Sequence, residues 1–497
     1  MAMARLILEH RHHFMHFIVK LLPEIIVKSP PVRRRQTALL RDNLVRQLQR
    51  LGLTAQVHKD WEKIEIEISN EDPEIAALCE KVLRQTPGIA KFRRTFVAKF
   101  NTLEDIPSQL PAKLYRGLNG KTFAVRVKHS GKHSFSSVDL ERLVGAWVLE
   151  HQPEAKVKLD NPERKIELEV RGDQAFVLEE TWQGMGGYPL GSQGAVLSLL
   201  SGGYDSSVAS YQCLRRGLLT HFVFFNLGGA GHELAVREVA AQIHSEFASS
   251  HSLQFISVSF ADIVGALSKH VPGSYSNILL KRLMLKAASK IAQRMKLPAL
   301  VTGDSVAQVS SQTLTNLSVT EAAAELPILR PLITVDRGAI IDIARSIGTA
   351  DIAASIPEYC VINSVRPTTE AKMDRVEKYE SRLPTGLIYD AITSAKSIPV
   401  ATLLEEQDLP EVRSYSEVPN QARVIDIRHP EEVENNPLVL ECDVEKIPFY
   451  TIQKVFESRQ GSELDLLYCD RGLLSRLHAE LLIDSGKTNV AIYLPSR

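Results

Sequence analysis

The chain has 497 residues but few cysteines, and none that pair locally: Cys79, Cys213, Cys360, Cys442 and Cys469 are an odd number with no CxxC among them. That excludes a disulfide scaffold, a four-cysteine zinc site and a locally ligated iron–sulfur cluster, so any redox role must come from cysteines distant in sequence. No apolar run approaches the length of a membrane-spanning helix. No signal-peptide core is present either, because Glu9, His10 and Arg11 interrupt it. A cytoplasmic protein without a membrane partner is expected. Net charge is also absent, with 59 Lys+Arg against 59 Asp+Glu, but its distribution is uneven. Residues 1–190 carry 30 basic against 24 acidic side chains, and residues 404–497 carry 10 against 18. A basic front suits a nucleic acid. The length calls for three or four domains.

The most informative stretch is Ala195 to Arg216. The apolar run Ala195–Leu200 has the length of a strand buried on both faces, and it ends at Ser201-Gly202-Gly203. A helix follows, with Asp205, Ser206 and Ser207 in its first turn and Val208, Tyr211, Gln212 and Arg215 at helical spacing. A strand, a glycine turn and a helix N-terminus form an anion site, because first-turn N–H groups point outward and the dipole favours negative charge. No Lys-Ser or Lys-Thr follows the glycines, which excludes a Walker-type loop. The whole string Ser-Gly-Gly-Tyr-Asp-Ser-Ser resembles the SGGxDS loop of the PP-loop ATP pyrophosphatases. That resemblance implies a Rossmann-like parallel sheet, ATP with magnesium, and adenylation of a substrate oxygen. It gives Asp205 a catalytic role with magnesium and the phosphates, and makes Ser201, Gly202, Gly203 and Ser206 the cradle.

From the start, residues 1–14 read as an extension, and His16–Lys20 as the first strand. Pro23–Lys28 is expected to be a loop and a second extended piece. A helix then carries Arg33, Arg34, Arg35, Arg41, Arg46 and Arg50, with Leu40, Leu44 and Leu48 on one face. Alternation at Ile64, Ile66 and Ile68 marks a half-buried strand. A second α+β unit contains a helix near Glu74–Thr86, strands at Phe96–Phe100, Thr122–Lys128, Ile166–Val170 and Ala175–Leu178, and a helix over Val138–Leu149. Ser136 and Asp139 give that last helix a capping-box pattern. The string from Phe123 to His133 with Phe135-Ser136-Ser137 resembles a THUMP domain, and the unit before it resembles the ferredoxin-like domain that accompanies one. THUMP domains occur in tRNA-modifying enzymes and bind the acceptor end. The resemblance makes Arg126, Lys128 and Lys132 candidate phosphate contacts, which position RNA rather than read its bases.

A second strand at Thr220–Phe225 and a third ending at Thr302-Gly303-Asp304 bring further residues to the carboxyl end of the same sheet, where open α/β folds bind ligands. The run Val309–Asn316, and Leu279-Leu280-Lys281-Arg282, resemble the nucleotide-binding segments of the ThiI family of tRNA uridine 4-sulfurtransferases. On that resemblance Leu199 and Leu200 flank the nucleotide, Lys281 meets a phosphate, and Gly303 and Gln312 lie at the ATP site. The family carries a glutamate where Asp304 stands and a lysine where Arg337 stands. Arginine keeps that charge with another geometry.

Leu466-Leu467-Tyr468 reads as a strand end, Cys469–Leu474 as a tight loop and Ser475 onward as a helix, with Arg471 adding positive charge. A thiol above a helix N-terminus is surrounded by N–H groups that stabilise a thiolate or persulfide. Val424–Arg428 with Pro430-Glu431-Glu432 resembles the opening of a rhodanese domain, whose active loop starts with the cysteine that carries sulfur as a persulfide. Cys360, in Pro357-Glu358-Tyr359-Cys360, falls in a string that the ThiI resemblance also matches. Cys79, Cys213 and Cys442 read as structural.

The expected fold is therefore a mixed α/β and α+β multidomain chain. It comprises a ferredoxin-like unit (15–75), a THUMP domain (76–183), a PP-loop ATP pyrophosphatase domain (190–367), a linker (368–418) and a rhodanese-like α/β domain (419–497). The resemblance implies ATP-dependent transfer of persulfide sulfur to a tRNA uridine, position 8 in the family, through an adenylated intermediate. Cys469, Cys360 and Asp205 are the catalytic candidates. A cysteine desulfurase as donor, a thiol reductant and the carrier protein ThiS are the implied partners, with no protein-ligated metal, zinc or iron–sulfur cluster. Two other functions remain open at this point: a general persulfide carrier that adenylates a substrate other than tRNA, and a non-catalytic tRNA-binding protein.

Overall fold

The computed structural model describes residues 15–60, 63–68, 72–131, 133–227, 229–356, 367–404, 412–428, 433–434, 436–459, 463–469 and 472–495. The chain divides into two compact units, one of residues 1–192 with 215–217 and the other of 193–214 with 218–497.

In the first unit, strands β1 (Met15–Leu21), β2 (Ala55–Lys59), β3 (Lys63–Ile68), β4 (Ile89–Lys99), β5 (Thr122–Ser130), β6 (Lys156–Val157), β7 (Arg164–Arg171) and β8 (Gln174–Gln183) join in one sheet, in the order β2-β3-β1-β4-β8-β7-β5-β6. Alternation sends Phe17, Val19 and Leu21 into a core with Leu40, Leu44 and Leu48 of the Pro30–Arg50 helix. A second core gathers Phe123, Val125, Leu140, Val144, Val148 and Val177. The Ser137–His151 helix opens with the expected capping box: Asp139 N–H donates to Ser136 Oγ at 3.2 Å, and Ser136 N–H to the Asp139 carboxylate at 2.8 Å.

Two expectations change here. Pro23–Ile26 is a short helix rather than extended chain, since Pro23 takes the first-turn position that needs no N–H. The Pro73–Gln85 helix, assigned above to the THUMP side of a boundary at 75, packs Ala76, Cys79 and Leu83 into the first core. It thereby completes a β-α-β-β-α-β unit with β4.

On this sheet Glu65 meets Lys63 Nζ at 2.9 Å, Arg171 at 2.5 Å and His16 Nε2 at 3.8 Å. Its carboxyl lies well below the usual carboxylate range, because of His16 first and then Lys63 and Arg171, which together outweigh burial. A depressed native pKa contributes stability above the unfolded pKa and loses it as pH falls through the native one. Glu65→Gln is therefore expected to cost about 1–3 kcal/mol in urea unfolding at pH 7, and the difference from wild type narrows as the pH drops below about 4.

The second unit contains two sheets. Strands β9 (Ala195–Leu199), β10 (Leu219–Asn226), β11 (Gln254–Ser259), β12 (Leu300–Val301), β13 (Ile328–Leu329) and β14 (Lys396–Pro399) lie in the order β13-β12-β9-β10-β11-β14. All pairings are parallel except β14 on β11. The other sheet is wholly parallel: β15 (Ser414–Tyr415), β16 (Arg423–Asp426), β17 (Val444–Lys446), β18 (Asp465–Tyr468) and β19 (Val490–Tyr493) in the order β15-β19-β18-β16-β17. The linker expected over 368–418 is corrected. Helices Met373–Glu380 and Leu387–Thr393 bury Val376, Ala391 and Ile392 in the core of the six-stranded sheet, and β14 closes its edge. Val412 already belongs to the core of the C-terminal domain, ahead of the boundary expected at 419. Among the described residues no helix is long and apolar enough to cross a membrane.

Candidate functional site

Strand β9 is buried at Val196, Leu197 and Ser198, as an apolar run in a central parallel strand should be. It ends at Leu199; the following Leu200 N–H still donates to Val223 O at 2.9 Å, and the Tyr204–Arg215 helix begins four residues after Leu200. Ser206 Oγ closes the turn by accepting Ser201 N–H at 3.1 Å, lying 3.0 Å from Ser201 Oγ and donating to Gly203 O at 3.2 Å. Gly202 sits at φ +83°, where a Cβ would collide with Ile356 and Val236. Gly202 is thus needed for the turn, whereas a Cβ on Gly203 would meet only Ser201 Oγ at 3.6 Å, an ordinary contact. Leu200 is buried while Leu199 is half-buried.

The carboxyl end of β12 lies against the first turn of that helix. A Cβ on Gly303 would fall 2.6 Å from Asp205 C and 2.7 Å from Ser206 N. Next to it Asp304 accepts from Thr302 Oγ1 at 2.7 Å and Gln312 Nε2 at 3.3 Å, and faces Lys281 Nζ at 3.4 Å and Arg330 Nε at 3.5 Å. Burial alone would push its carboxyl up, but Lys281, Thr302, Arg330 and Gln312 outweigh this and hold it below the ordinary value. The structure therefore brings Ser201, Gly202, Gly203, Asp205, Ser206, Lys281, Gly303 and Gln312 to one sheet end. Gln308, which donates to Asp205 Oδ2 at 2.7 Å, was not anticipated. Arg330 was not either, because both come from loops whose composition carries no signal. Arg337 is exposed at the start of the Arg337–Ser346 helix.

Beneath the loop runs the Gly229–Phe247 helix. His232 is buried against Phe224 and hydrogen bonds to the backbone of Ser201. Burial pushes its pKa down to about 4 against that bond, so the ring is neutral at pH 7. Its neighbour Glu233 accepts from Asn226 Nδ2 (3.1 Å), Ser257 Oγ (2.8 Å) and Arg237 (2.8 Å), tying the helix to β10 and β11. Nothing in the sequence pattern separates His232 from an ordinary helical histidine.

Cys469 follows β18 directly, as expected. Its sulfur accepts Ser475 N–H at 3.3 Å, the thiol faces Ser475 Oγ at 3.5 Å, and Gly472 N–H donates to Cys469 O at 3.1 Å. Gly472 at φ +72° allows the tight return into the Leu473–Asp484 helix. The preceding Tyr468 ring lies 5.0 Å from the buried Arg428 guanidinium. Asp426 grips that guanidinium at 2.9 and 2.7 Å, which anchors the ends of β16 and β18 together. Arg471 and Cys360 lie outside the described residues, as does Lys132. Burial pushes the Cys79 and Cys213 thiols up to about 12, whereas Cys442 is exposed. Iodoacetamide at pH 8 is therefore expected to alkylate Cys79 and Cys213 on the order of 10³-fold more slowly than Cys442, read by peptide mass spectrometry.

Of the RNA candidates, Lys128 is exposed on β5. Arg126 is half-buried and donates to Leu159 O at 2.5 Å and Val125 O at 3.1 Å, so its guanidinium is held by backbone carbonyls. On the Pro30–Arg50 helix Arg34, Arg35, Arg46 and Arg50 are exposed, while Arg33 is buried and donates to Ile26 O at 3.0 Å. Among the described residues no group of three His, Cys, Asp or Glu is arranged to hold a metal ion.

Comparison with known proteins adds three findings. Residues 191–384 match the family described as thiamine biosynthesis protein (ThiI), and residues 97–178 match the THUMP domain. A tRNA sulfurtransferase of Saccharophagus degradans is 43% identical over 97% of this chain and 100% of its own length, and one of Pseudomonas aeruginosa is likewise 43% identical with the same coverage. Among solved structures, a 4-thiouridine synthetase crystallised with RNA and bound ATP is 29% identical with a TM-score of 0.69, covering 78% of this chain and 99% of that one.

Proposed function

The chain belongs to the tRNA sulfurtransferase family, and from that premise we propose that it uses ATP to convert a tRNA uridine, position 8 in the family, to 4-thiouridine. The observation that carries this reading is that the phosphate loop at Ser201–Ser206 and the sulfur-holding loop at Cys469 occur in one compact unit. Each answers one obstacle in exchanging a carbonyl oxygen for sulfur.

The first obstacle is that oxide is a hopeless leaving group. ATP lies with its phosphates over the loop, where first-turn N–H groups, Ser201, Ser206 and Lys281 balance the charge that develops. The uridine oxygen then attacks the α-phosphorus and pyrophosphate departs, which leaves an adenylated base. Asp205, held by Gln308 at the helix's first turn, fits a magnesium–pyrophosphate as carboxylate donor, and magnesium there would offset phosphate charge. Asp304 fixes Lys281 rather than meeting phosphate itself, because its carboxylate is already surrounded by donors.

The second obstacle is the oxidation level of sulfur. The all-parallel five-stranded domain with Cys469 at a strand end is read as rhodanese-like, carrying the outer sulfur of a Cys469 persulfide supplied by a cysteine desulfurase. The Cys360 thiolate attacks Cys469 Sγ. Hydrosulfide leaves with the S–S electron pair, and a Cys360–Cys469 disulfide forms. Hydrosulfide then displaces AMP from the adenylated uridine, and an external dithiol reduces the disulfide with two electrons. Family membership also supports sulfur delivery to ThiS, which needs the same persulfide.

The test is nucleoside mass spectrometry of unmodified tRNA incubated with protein, ATP, magnesium, a cysteine desulfurase with cysteine, and reductant. 4-Thiouridine that depends on ATP supports the reading. Its absence while Cys469 still gains a persulfide would leave a sulfur carrier that adenylates another substrate.

A further inference from the structure

We propose that the Leu234/Ala235 face of the Gly229–Phe247 helix is the docking surface on which the C-terminal domain seats to deliver sulfur to the ATP site. The inference rests on the function proposed above and adds to it where the two catalytic domains meet.

The helix has two occupied sides. Val236 lies beneath Gly202, and His232, one turn earlier, holds the Ser201 backbone. About half a turn round, Leu234 and Ala235 are buried in a small apolar cluster with Ile356, Leu404 and Leu481. Leu481 belongs to the Leu473–Asp484 helix, which begins four residues after Cys469. On that helix Ala479 and Leu482 fill the core of their own domain, and Leu481 reaches the neighbouring one. In an isolated C-terminal domain such a leucine would face water. A second contact sets the Ala350–Ser355 helix against the Phe449–Ser458 helix.

Ile356 is the residue that joins these features. It packs in the Leu234/Ala235/Leu481 cluster and also lies where a Cβ on Gly202 would fall. One side chain therefore touches the phosphate loop and the seat of the sulfur domain together. Among the described residues this apolar cluster is small, five side chains, which suits a domain that must also present Cys469 to a donor. Because both partners are in one chain, the tether keeps their effective concentration high and a weak contact suffices.

The experiment compares full-length wild type with Leu481→Glu in three assays: persulfide loading of Cys469 by a cysteine desulfurase with cysteine, 4-thiouridine formed from that donor, and 4-thiouridine formed from sodium sulfide. Sulfide bypasses the C-terminal domain and still needs the ATP site and tRNA. Leu481→Glu is expected to load normally and to keep its sulfide-driven rate, while donor-driven 4-thiouridine falls about tenfold or more as the tethered encounter is lost. Leu481→Met, which keeps the apolar contact, restores the donor-driven rate. If Leu481→Glu fails to load, Leu234→Glu alters the opposite side of the contact and decides by the same three readouts. Unchanged donor-driven turnover, or an equal fall in the sulfide arm, overturns the proposal. Absence of 4-thiouridine from wild type in both arms would instead overturn the tRNA reading itself, so the two failures are separable.

Discussion

Replacing Cys469 by serine is expected to lower donor-driven 4-thiouridine formation by about 10³-fold or more, and to leave the sulfide-driven reaction at the wild-type rate. The substitution is close to isosteric. A serine oxygen at this position can accept the Ser475 N–H that now reaches Cys469 Sγ at 3.3 Å, and the Gly472 N–H to Cys469 O bond is backbone only. The loop and the five-stranded domain therefore persist, which unchanged far-ultraviolet circular dichroism would check. What disappears is the sulfur proposed to carry the persulfide, because a hydroxyl cannot form a persulfide and is a far weaker nucleophile at neutral pH. The paired assay separates chemistry from folding: sulfide needs adenylation and tRNA but not the persulfide. Equal loss in both arms would mean that Cys469 supports the ATP site structurally, and retention of donor-driven activity would remove it from the sulfur path.

Features set by neighbouring residues were legible in advance. The strand–glycine–helix unit at Ala195–Arg215 is local, since Ser206 closes on Ser201 and Gly203 only a few positions away. The Ser136–Asp139 capping box and the cysteine at the end of β18 are local in the same sense. What could not be read depends on pairing between distant segments. Strand β4 joins β1 on one side and β8 on the other, which fuses two α+β units into one sheet and moves the Pro73–Gln85 helix across the expected boundary. Composition hides the structure of residues 373–399: the Met373–Glu380 helix has a single buried residue, Val376, and β14 carries a proline at an antiparallel edge. Gln308, Arg330 and His232 have ordinary surroundings in sequence and acquire their contacts from distant residues, as the bond of Gln308 to Asp205, 103 positions away, illustrates.

Gly303→Ala is expected to lower ATP-dependent 4-thiouridine formation by about 10²-fold, the usual cost of moving a catalytic constellation by roughly 1 Å. The added methyl group has nowhere to go. Its carbon would fall 2.6 Å from Asp205 C and 2.7 Å from both Asp205 O and Ser206 N, all backbone atoms of the helix turn proposed to cradle the phosphates. A flexible side chain could turn aside, but a first turn pinned by Ser206 Oγ to Ser201 and Gly203 can move only as a body, and Asp205 moves with it. The displacement separates the carboxylate from Gln308 and shifts the N–H groups from the phosphates, so kcat falls more than ATP affinity. Overpacking of this kind also costs about 1–3 kcal/mol of stability, which a urea titration of the same variant measures. Gly265→Ala is the control, because a Cβ there meets nothing within 4 Å in the middle of the Ala261–His270 helix. That change should raise stability by up to about 1 kcal/mol and leave turnover untouched. Wild-type turnover in Gly303→Ala would mean that the end of β12 does not set the position of the loop, and would separate Asp304 and Lys281 from the ATP site.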